Sequence, residues 1–398
     1  MTAAASRTRI LIVDDSAVMR SLLRSIICSD TSLEVAGTAA DGASALTCIP
    51  GARPDLILLD VEMPVMDGLV TLRELRKRGH RMPVIMCSSL TQRGAKVTIE
   101  ALAGGASDYV TKPAGQAGRE AALRALGQEL IPKIHALTSA VSPGAMTNSF
   151  SGQTGPLAVF PGAARIPLTF PVSLPLSPQL RLQPMSSNPL VVVIGVSTGG
   201  PAALDVLLPA LPGNFPLPVL IVQHMPELFT HMFAERLNDR CKLRVREAAE
   251  GDAVRAGTIL IARGNWHMEA VPGALPGVPA TVRLNQGPLE NHCRPAVDVL
   301  FRSAARAYGA GVLAVVLTGM GSDGMVGARV VREQGGSVIA QDQASSTVWG
   351  MPGAVTNAGL AHKVLPLDAI APEILRIAGR TYSEARELPR DIYRQVVS

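Results

Sequence analysis

Aromatic residues are scarce in this 398-residue chain, at 3% of its composition. A surface that stacks on nucleic-acid bases needs exposed aromatic rings, so this scarcity argues against a nucleic-acid partner. No uncharged apolar run reaches the length of a membrane-spanning helix, and Met1 to Arg9 contain no hydrophobic signal core. We therefore expect a protein that does not insert into a membrane and that resides in the cytoplasm.

Cysteines are also few, and none of them has C-x-x-C spacing. The chain has five: Cys28, Cys48, Cys87, Cys241 and Cys293. An odd, scattered set predicts reduced thiols of a cytoplasmic protein and excludes a zinc site or a disulfide framework. The net charge of +5 suits an acidic partner but is small for a DNA-binding protein. A hydrophobic content of 47% and the chain length favour two or three globular domains.

Residues 8–127 alternate between predicted strands and helices, which predicts an α/β domain with a parallel sheet. The predicted strands are Arg9–Val13, Glu34–Gly37, Asp55–Leu59, Pro83–Cys87 and Asp108–Pro113. Polar side chains follow the ends of these strands, where α/β folds bind their ligands. Asp14, Asp15 and Asp60 would repel one another unless they share a hard cation, so they predict an Mg²⁺ site. Lys112 supplies a positive charge and Ser88 a hydroxyl for a phosphoryl oxygen.

From Ile10 to Pro113 this first domain resembles a two-component receiver domain, which implies a flavodoxin-like fold. The resemblance implies that Asp60 is the phosphoacceptor, that Asp14 and Asp15 form the acidic Mg²⁺ pocket, and that Lys112 is the conserved lysine. It also implies that Ser88 is the switch hydroxyl and Tyr109 the switch aromatic residue. A cognate histidine kinase would then be the phosphodonor.

Residues 128–189 change in character and are predicted to be a linker. Nine prolines lie between Val141 and Pro189, and acidic residues are absent there. Such proline density excludes a continuous helix and favours an extended, semi-rigid connector. Phe160, Phe170 and Leu176 are unusually apolar for a free tether, so the connector either docks on a domain or binds a partner. The sequence does not choose between these two.

The second domain, residues 190–383, begins with a buried strand that ends in Gly195-Val-Ser197-Thr-Gly199-Gly-Pro. Glycines on both sides of Ser197 permit a sharp strand-to-helix turn that exposes the hydroxyl, as in a nucleophile elbow. Two alternatives are a serine that only caps the helix and a dinucleotide loop. The loop is disfavoured because Ser197 occupies the position of the second glycine in G-x-G-x-x-G.

His224 and Asp323 follow two further predicted parallel strands, so both can meet Ser197 at one sheet edge. A serine, an imidazole and a carboxylate form a catalytic triad. Taken alone, a histidine at a strand end is more often structural, and Asp323 could simply cap the following helix; together with the serine turn they make the triad the leading hypothesis. The chain order Ser, His, Asp differs from that of α/β-hydrolases. We predict a doubly wound parallel sheet, with a hairpin-rich section between Leu243 and Gln286.

The second domain resembles the catalytic domain of chemotaxis protein-glutamate methylesterases, which also deamidate glutamine. The resemblance rests on five motifs: Gly-Val-Ser197-Thr-Gly-Gly, Gln223-His224-Met-Pro, His292-Cys-Arg-Pro-Ala-Val-Asp298, Leu317-Thr-Gly-Met-Gly-Ser-Asp323-Gly, and Gly350-Met-Pro. It implies that Ser197 is the nucleophile, His224 the base and Asp323 its orienting partner, with backbone amides near Thr198 and Met320 as oxyanion donors. Ser322 departs from the pattern, since an asparagine is common there.

This resemblance also implies a substrate and partners. The esterase would need no cofactor, would act on methyl-accepting chemotaxis receptors, and is expected to work as a monomer. Two rival functions remain open at this point. One is a receiver-controlled DNA-binding regulator, which would need a basic recognition helix, and the other is a nucleotide-binding effector that uses the Ser-Thr-Gly-Gly loop.

Overall fold

A computed structural model describes residues 7–113, 118–139, 185, 188–275 and 277–387. The first domain is a five-stranded parallel sheet in the order β2-β1-β3-β4-β5, as expected for the flavodoxin-like fold. Its strands are β1 (Thr8–Val13), β2 (Leu33–Ala39), β3 (Leu56–Asp60), β4 (Val84–Ser88) and β5 (Asp108–Thr111). Its helices are α1 (Ala17–Cys28), α2 (Gly42–Ala52), α3 (Gly68–Lys77), α4 (Gln92–Ala103) and α5 (Arg119–Ser139).

Local sequence explains where these elements begin. Ser16, Asp41, Asp67 and Thr91 each precede a helix, and each side chain accepts a hydrogen bond from the backbone N–H three residues later. Strands β3 and β4 are buried at every residue, because helices cover both faces of a parallel sheet.

Helix α5 continues to Ser139, so the first part of the predicted linker is helical. Apart from Met185, Asn188 and Pro189, the remainder of that linker lies outside the described residues. The question whether Phe160, Phe170 and Leu176 dock on a domain falls in that part of the chain.

The second domain contains a seven-stranded parallel sheet in the order β14-β13-β12-β6-β7-β9-β8. Its strands are β6 (Val191–Val196), β7 (Val219–Gln223), β8 (Arg244–Glu247), β9 (Thr258–Ile261), β12 (Val312–Val316), β13 (Ser337–Gln341) and β14 (Lys363–Leu365). Its helices are α6 (Gly200–Leu207), α7 (Glu227–Arg240), α8 (Val297–Tyr308), α9 (Met325–Glu333), α10 (Met351–Asn357) and α11 (Leu367–Glu387).

The prediction of a hairpin-rich section between Leu243 and Gln286 is wrong for its first half. Strands β8 and β9 lie parallel to each other and extend the main sheet. The apolar run from Ile259 to Ile261 is buried on both faces, as an internal strand of a parallel sheet requires. Only β10 (His267–Val271) and β11 (Thr281–Asn285) pair as an antiparallel hairpin.

The two domains share an apolar interface. Helix α4 packs against α6 and α7, and one hydrophobic cluster continues from the first domain into the second. At its centre the ring of Tyr109 stacks on that of Phe229, with centroids 4.9 Å apart and planes 12° from parallel. Throughout the described ranges, no helix combines the length and the apolar character that crossing a bilayer requires.

Candidate active site

The order of strands brings three predicted catalytic residues to one place. Strand β6 lies between β12 and β7 at the centre of the sheet. The strands that follow it in sequence, β7 to β9, lie on one side of β6, and β12 to β14 lie on the other side. Ser197 follows β6, His224 follows β7, and Asp323 lies on the loop after β12. Such a topological switch point opens a crevice at the carboxyl ends of the strands, and all three residues line one cavity there.

The turn that carries Ser197 is held by its neighbours on both sides. The backbone N–H of Ser197 donates to the carbonyl of Thr318 over 3.0 Å, and Gln223 Nε2 donates to the Ser197 carbonyl over 3.0 Å. Gly199 has φ +78°, a conformation that glycine adopts without strain. A Cβ on Gly319 would lie 2.8 Å from the Cβ of Ser197. The loop after β12 can therefore come this close to the serine only because residue 319 is a glycine.

His224 and Asp323 form a buried pair. His224 Nε2 lies 2.8 Å from Asp323 Oδ2, and Asp323 is 2% exposed. Burial opposes ionisation of Asp323, but hydrogen bonds from His224 and from the backbone amides of Val297 and Asp298 outweigh burial and lower its pKa. Burial also opposes protonation of His224, and the hydrogen bonds to Asp323 and Cys293 outweigh it and raise the pKa of the imidazole. The pair therefore makes His224 a stronger base than a free imidazole.

The second imidazole nitrogen faces a residue that the sequence analysis did not single out. His224 Nδ1 lies 3.6 Å from Cys293 Sγ. Within the described ranges, Ser197 Oγ makes no hydrogen bond, so the structure places the serine in the same cavity as His224 without joining the two. Cys293 stands inside the His292-to-Asp298 motif, and its place between residues of the candidate site is the one signal that could have pointed to it.

The two candidate oxyanion donors both have free amides. Among the residues that the structure describes, neither the N–H of Thr198 nor that of Met320 donates a hydrogen bond. Preorganised, unpaired amides beside a nucleophile are what an oxyanion hole requires. The side chain of Thr198 is engaged elsewhere: its Oγ1 donates to Asp108 Oδ2 of the first domain over 2.6 Å.

The cavity around Ser197 has a volume of about 1140 Å³ and lies between the domains. Its second-domain wall carries the three candidate catalytic residues together with Cys293 and Met320. Its opposite wall belongs to the first domain and includes Leu102, Asp108, Tyr109, Thr111, Gln128, Glu129 and Lys133. The first domain therefore covers the candidate active site in this structure, through the face formed by α4, β5 and α5.

The acidic site of the first domain has the predicted geometry. Carboxylate oxygens of Asp14, Asp15 and Asp60 all lie within 4.8 Å of one another, with Asp14 and Asp60 buried and Asp15 exposed. A hard divalent cation prefers such a set of oxygen ligands, so these residues fit Mg²⁺. Lys112 Nζ lies 2.8 Å from both Asp14 Oδ2 and Asp60 Oδ2. Burial raises the pKa of Asp60 to about 6, although Lys112 opposes the shift.

The two predicted switch residues differ in their surroundings. Ser88 is fully buried, and its Oγ accepts a hydrogen bond from Thr98 Oγ1 over 2.7 Å. Tyr109 is in the domain interface, where it packs between Phe229 and Lys133, whose Nζ is 5.1 Å from the ring centroid. Lys133 also donates to the carbonyl of Tyr109 over 2.6 Å. A displacement of Tyr109 would therefore directly change its contact with Phe229 of the second domain.

Replacing Asp60 with asparagine should stabilise the protein at neutral pH. At pH 7 the folded state holds a carboxylate whose pKa burial has raised from 3.8 to about 6. Because the folded state binds this proton more tightly than the unfolded state, the group destabilises the fold as pH rises between these two values. Without Mg²⁺, we expect the free energy of unfolding of Asp60→Asn to exceed that of the wild type by about 1–3 kcal/mol at pH 7.

Urea denaturation at about pH 7 and about pH 4.5 measures this difference, and the gain should shrink by more than half at the lower pH. Asp15→Asn is the matched control, because it removes an exposed carboxylate of the same cluster. An equal gain at both pH values would contradict the assignment to Asp60 ionisation.

Together, the fold and the site define a class: a receiver-type domain that covers a hydrolase-type site with a serine at a strand-to-helix turn. Two family models match the chain, the response regulator receiver domain over residues 10–124 and the CheB methylesterase over residues 192–374. Together with near full-length relatives at 46% and 48% identity, these matches show that the chain belongs to the family of receiver-linked protein-glutamate methylesterases/protein-glutamine glutaminases, and it is an enzyme.

Similar proteins span nearly the whole chain. "Protein-glutamate methylesterase/protein-glutamine glutaminase" of Nocardioides sp. (strain ATCC BAA-499 / JS614) is 48% identical over 94% of this chain and 96% of its own. The protein with the same description from Trichodesmium erythraeum (strain IMS101) is 46% identical, over 93% of this chain and 99% of its own. The crystal structure of the Thermotoga maritima CheB methylesterase catalytic domain aligns with 48% of this chain and 99% of its own, at 42% identity and a TM-score of 0.46.

The family models and the two relatives confirm the resemblances stated for both domains, and the two parallel sheets confirm the α/β fold of each. Family membership also decides against the DNA-binding regulator and the nucleotide-binding effector. The roles of individual residues and the limits of the domains at 8–127, 128–189 and 190–383 stay predictions.

Proposed function

We propose that the chain is a phosphorylation-controlled serine esterase that removes methyl groups from glutamyl esters of methyl-accepting chemotaxis receptors and deamidates glutamines on them. One observation carries this proposal. Ser197, His224 and Asp323 reach a single cavity from the ends of three adjacent parallel strands, and His224 and Asp323 are hydrogen-bonded over 2.8 Å. The substrate class comes from the descriptions of the relatives, which act on protein glutamate and glutamine side chains.

In the first half of the reaction, Ser197 Oγ attacks the ester carbonyl and His224 takes the serine proton. Because Nε2 of His224 is engaged by Asp323, Nδ1 is the nitrogen available for Ser197. Nδ1 must therefore exchange its contact with Cys293 for one with the serine. The amides of Thr198 and Met320 stabilise the oxyanion of the tetrahedral intermediate.

Collapse of that intermediate breaks the bond to the methoxy group, which leaves as methanol after His224 returns the proton. In the second half, His224 takes a proton from a water molecule, the water attacks the acyl-serine, and the free glutamate side chain leaves with Ser197 restored. A glutamine substrate follows the same route with ammonia as the leaving group. The esterase itself is proposed to need no cofactor.

Control is proposed to reside in the first domain, with a chemotaxis histidine kinase as phosphodonor. Mg²⁺ held by Asp14, Asp15 and Asp60 would neutralise their charge and that of the phosphoryl group. Asp60 accepts the phosphoryl group, and Lys112, now paired with Asp14 and Asp60, turns to its oxygens. Ser88 supplies the second contact. We also propose a cytoplasmic monomer, because the residues proposed for the receiver site and for the triad all come from one chain.

Phosphorylation then uncovers the active site. Unphosphorylated, the first domain lines the cavity and its Asp108 is bonded to Thr198, next to the nucleophile. A receptor helix cannot enter without separating these surfaces. The receiver change that phosphorylation causes at Ser88 and Tyr109 weakens the contact with Phe229 and shifts the protein towards the open arrangement.

The decisive experiment measures methanol release from methylated receptor fragments, with and without a small phosphodonor and Mg²⁺. We expect release in both conditions and a faster rate with phosphodonor. The Asp60→Asn variant should keep the basal rate and lose the increase. No release from a folded protein in either condition would overturn the proposed activity, and equal rates would overturn the proposed control.

Replacing Tyr109 with alanine should raise the basal rate of the unphosphorylated protein. The Tyr109–Phe229 stack holds the closed arrangement, and such ring pairs contribute about 0.5–1.5 kcal/mol beyond their buried area. Loss of that contribution corresponds to a rise of about 2- to 10-fold in methanol release, because about 1.4 kcal/mol changes the equilibrium between closed and open arrangements tenfold. Val18→Ala, at a receiver side chain that is 76% exposed, is the control and should leave the basal rate unchanged. An unchanged rate in Tyr109→Ala would mean that this stack does not keep the domains together.

A further inference from the structure

A second buried carboxylate lies beside the orienting carboxylate of the proposed triad. Asp298, in the first turn of α8, and Asp323 are each 2% exposed. Two carboxylates in a dry environment repel each other, so an arrangement that keeps both needs hydrogen-bond donors placed between and around them. Asp298 has no described contact with His224 or with the cavity, so the catalytic steps above leave it without a role.

Asn291 supplies the donor between the two acids. Its amide nitrogen lies 2.9 Å from Asp323 Oδ1 and 3.0 Å from Asp298 Oδ2. A side-chain amide has two N–H groups, so Asn291 can donate one to each carboxylate at the same time. The backbone of Asn291 has φ +50°, a conformation that asparagine tolerates better than most residues. The amide therefore bridges the acids from a fixed position on the loop before α8.

Among the described residues, the other hydrogen-bond partners of the two carboxylates are also donors. Asp298 Oδ1 accepts the N–H of Gly327 over 2.6 Å. Asp323 accepts the N–H groups of Val297, Asp298 and Gly324 over 2.7–3.0 Å, in addition to His224. These hydrogen bonds favour the ionised form of Asp323, with its Oδ2 directed at the imidazole.

Asp298 anchors the bridging amide. With Gly327 on one oxygen and Asn291 on the other, its carboxylate accepts the amide proton that Asp323 does not use. Burial and the charge of Asp323 raise the pKa of Asp298 to about 6, against the hydrogen bonds from Gly327 and Asn291. The charged neighbours are Asp323 and the Arg302 guanidinium, which pairs with Glu290 over 2.6 Å.

We propose that Asn291 and Asp298 are positioning residues of the esterase: Asp298 fixes the Asn291 amide, and the amide fixes Asp323 against His224. The proposal rests on the proposed triad. A purely structural role for the same residues, as packing between α8 and α9, would lower stability without changing the behaviour of His224.

The test uses the full chain and two readouts. In Asn291→Ala, methanol release should fall on the order of 10- to 100-fold in kcat with little change in KM, by analogy with the outer partners that orient metal-ligating histidines. In the same variant, the pKa of His224, measured by NMR of the imidazole, should fall by about one pH unit, because the carboxylate that stabilises the imidazolium is held less firmly. Asp298→Asn should shift both readouts in the same direction by a smaller amount, because its amide can still accept one of the two hydrogen bonds.

Asn285→Ala is the matched control. Asn285 also makes two side-chain hydrogen bonds, to Glu269 and to the amide of Gly287, but it lies on β11 outside the cavity. Its loss should cost stability and leave kcat and the His224 pKa unchanged. If Asn291→Ala behaves like Asn285→Ala, the positioning role is wrong. If the wild type releases no methanol yet the His224 pKa falls in Asn291→Ala, the proposed function is wrong and the positioning of Asp323 stands.

Discussion

Replacing Ser197 with alanine is expected to abolish methanol release, with a loss on the order of 10⁴-fold or more, as for other triad nucleophiles. The hydroxyl makes no hydrogen bond among the described residues, so its loss should not disturb the fold or the phosphorylation of Asp60. Methanol release under saturating substrate, together with thermal unfolding and phosphorylation of the variant, checks this. Ser322→Ala is the control, because Ser322 lines the same cavity and should be dispensable.

A second outcome of that experiment is informative because of Cys293. Its thiol, not the Ser197 hydroxyl, is the group next to His224 Nδ1 in this structure. A thiol beside an imidazole can also act as a nucleophile. If Ser197→Ala kept near wild-type activity and Cys293→Ala lost it, the nucleophile would be the cysteine. We expect the reverse, with Cys293→Ala retaining most of the activity.

Replacing Asp323 with asparagine is expected to cost nearly as much, on the order of 10⁴-fold in kcat, because an amide favours the wrong tautomer of the imidazole. The carboxylate accepts a hydrogen bond from His224 Nε2 and thereby leaves Nδ1 free to accept the serine proton. An amide NH₂ at either oxygen position would also face the donors of Val297, Asp298 or Gly324. Some loss of stability should therefore accompany the loss of rate.

Unfolding measurements separate these two effects. The rate must be measured at a temperature where the variant is fully folded. A loss of only several-fold under those conditions would mean that Asp323 acts as a cap of α8, whose first N–H groups it accepts, and not as the partner of the base.

Sequence patterns predicted the parts of this molecule that are set by contiguous residues. The strand ends that carry Asp60, Ser197 and His224 were predictable. In an α/β fold, an apolar run followed by a turn and an amphipathic segment usually forms a strand, a loop at its carboxyl end and a helix. The position of Asp323 followed for the same reason. The 243–286 section was mispredicted because short apolar strands with glycine turns occur both in hairpins and in parallel sheets.

Contacts between distant segments could not be predicted from the pattern. Asp108 and Thr198 are 90 residues apart and meet only because the α4–β5–α5 face of the receiver docks at the carboxyl edge of the second sheet. In the sequence, Asn291 has no feature that distinguishes it from other loop residues. Only the fold places it between Asp298 and Asp323. Cys293 is inconspicuous among five scattered thiols, and only the turn before α8 brings it to His224.

In the proposed mechanism, the covered cavity links phosphorylation and substrate binding thermodynamically. Both would favour the arrangement in which the two walls of the cavity, formed by the first and the second domain, have separated. Linkage is reciprocal for binding free energies: whatever factor phosphorylation adds to the affinity for a receptor segment, the bound segment adds to the stability of the phosphorylated receiver. A dense array of receptors would then do more than supply substrate. By holding the domains apart, it would also raise the equilibrium fraction of copies in the phosphoryl-dependent open state.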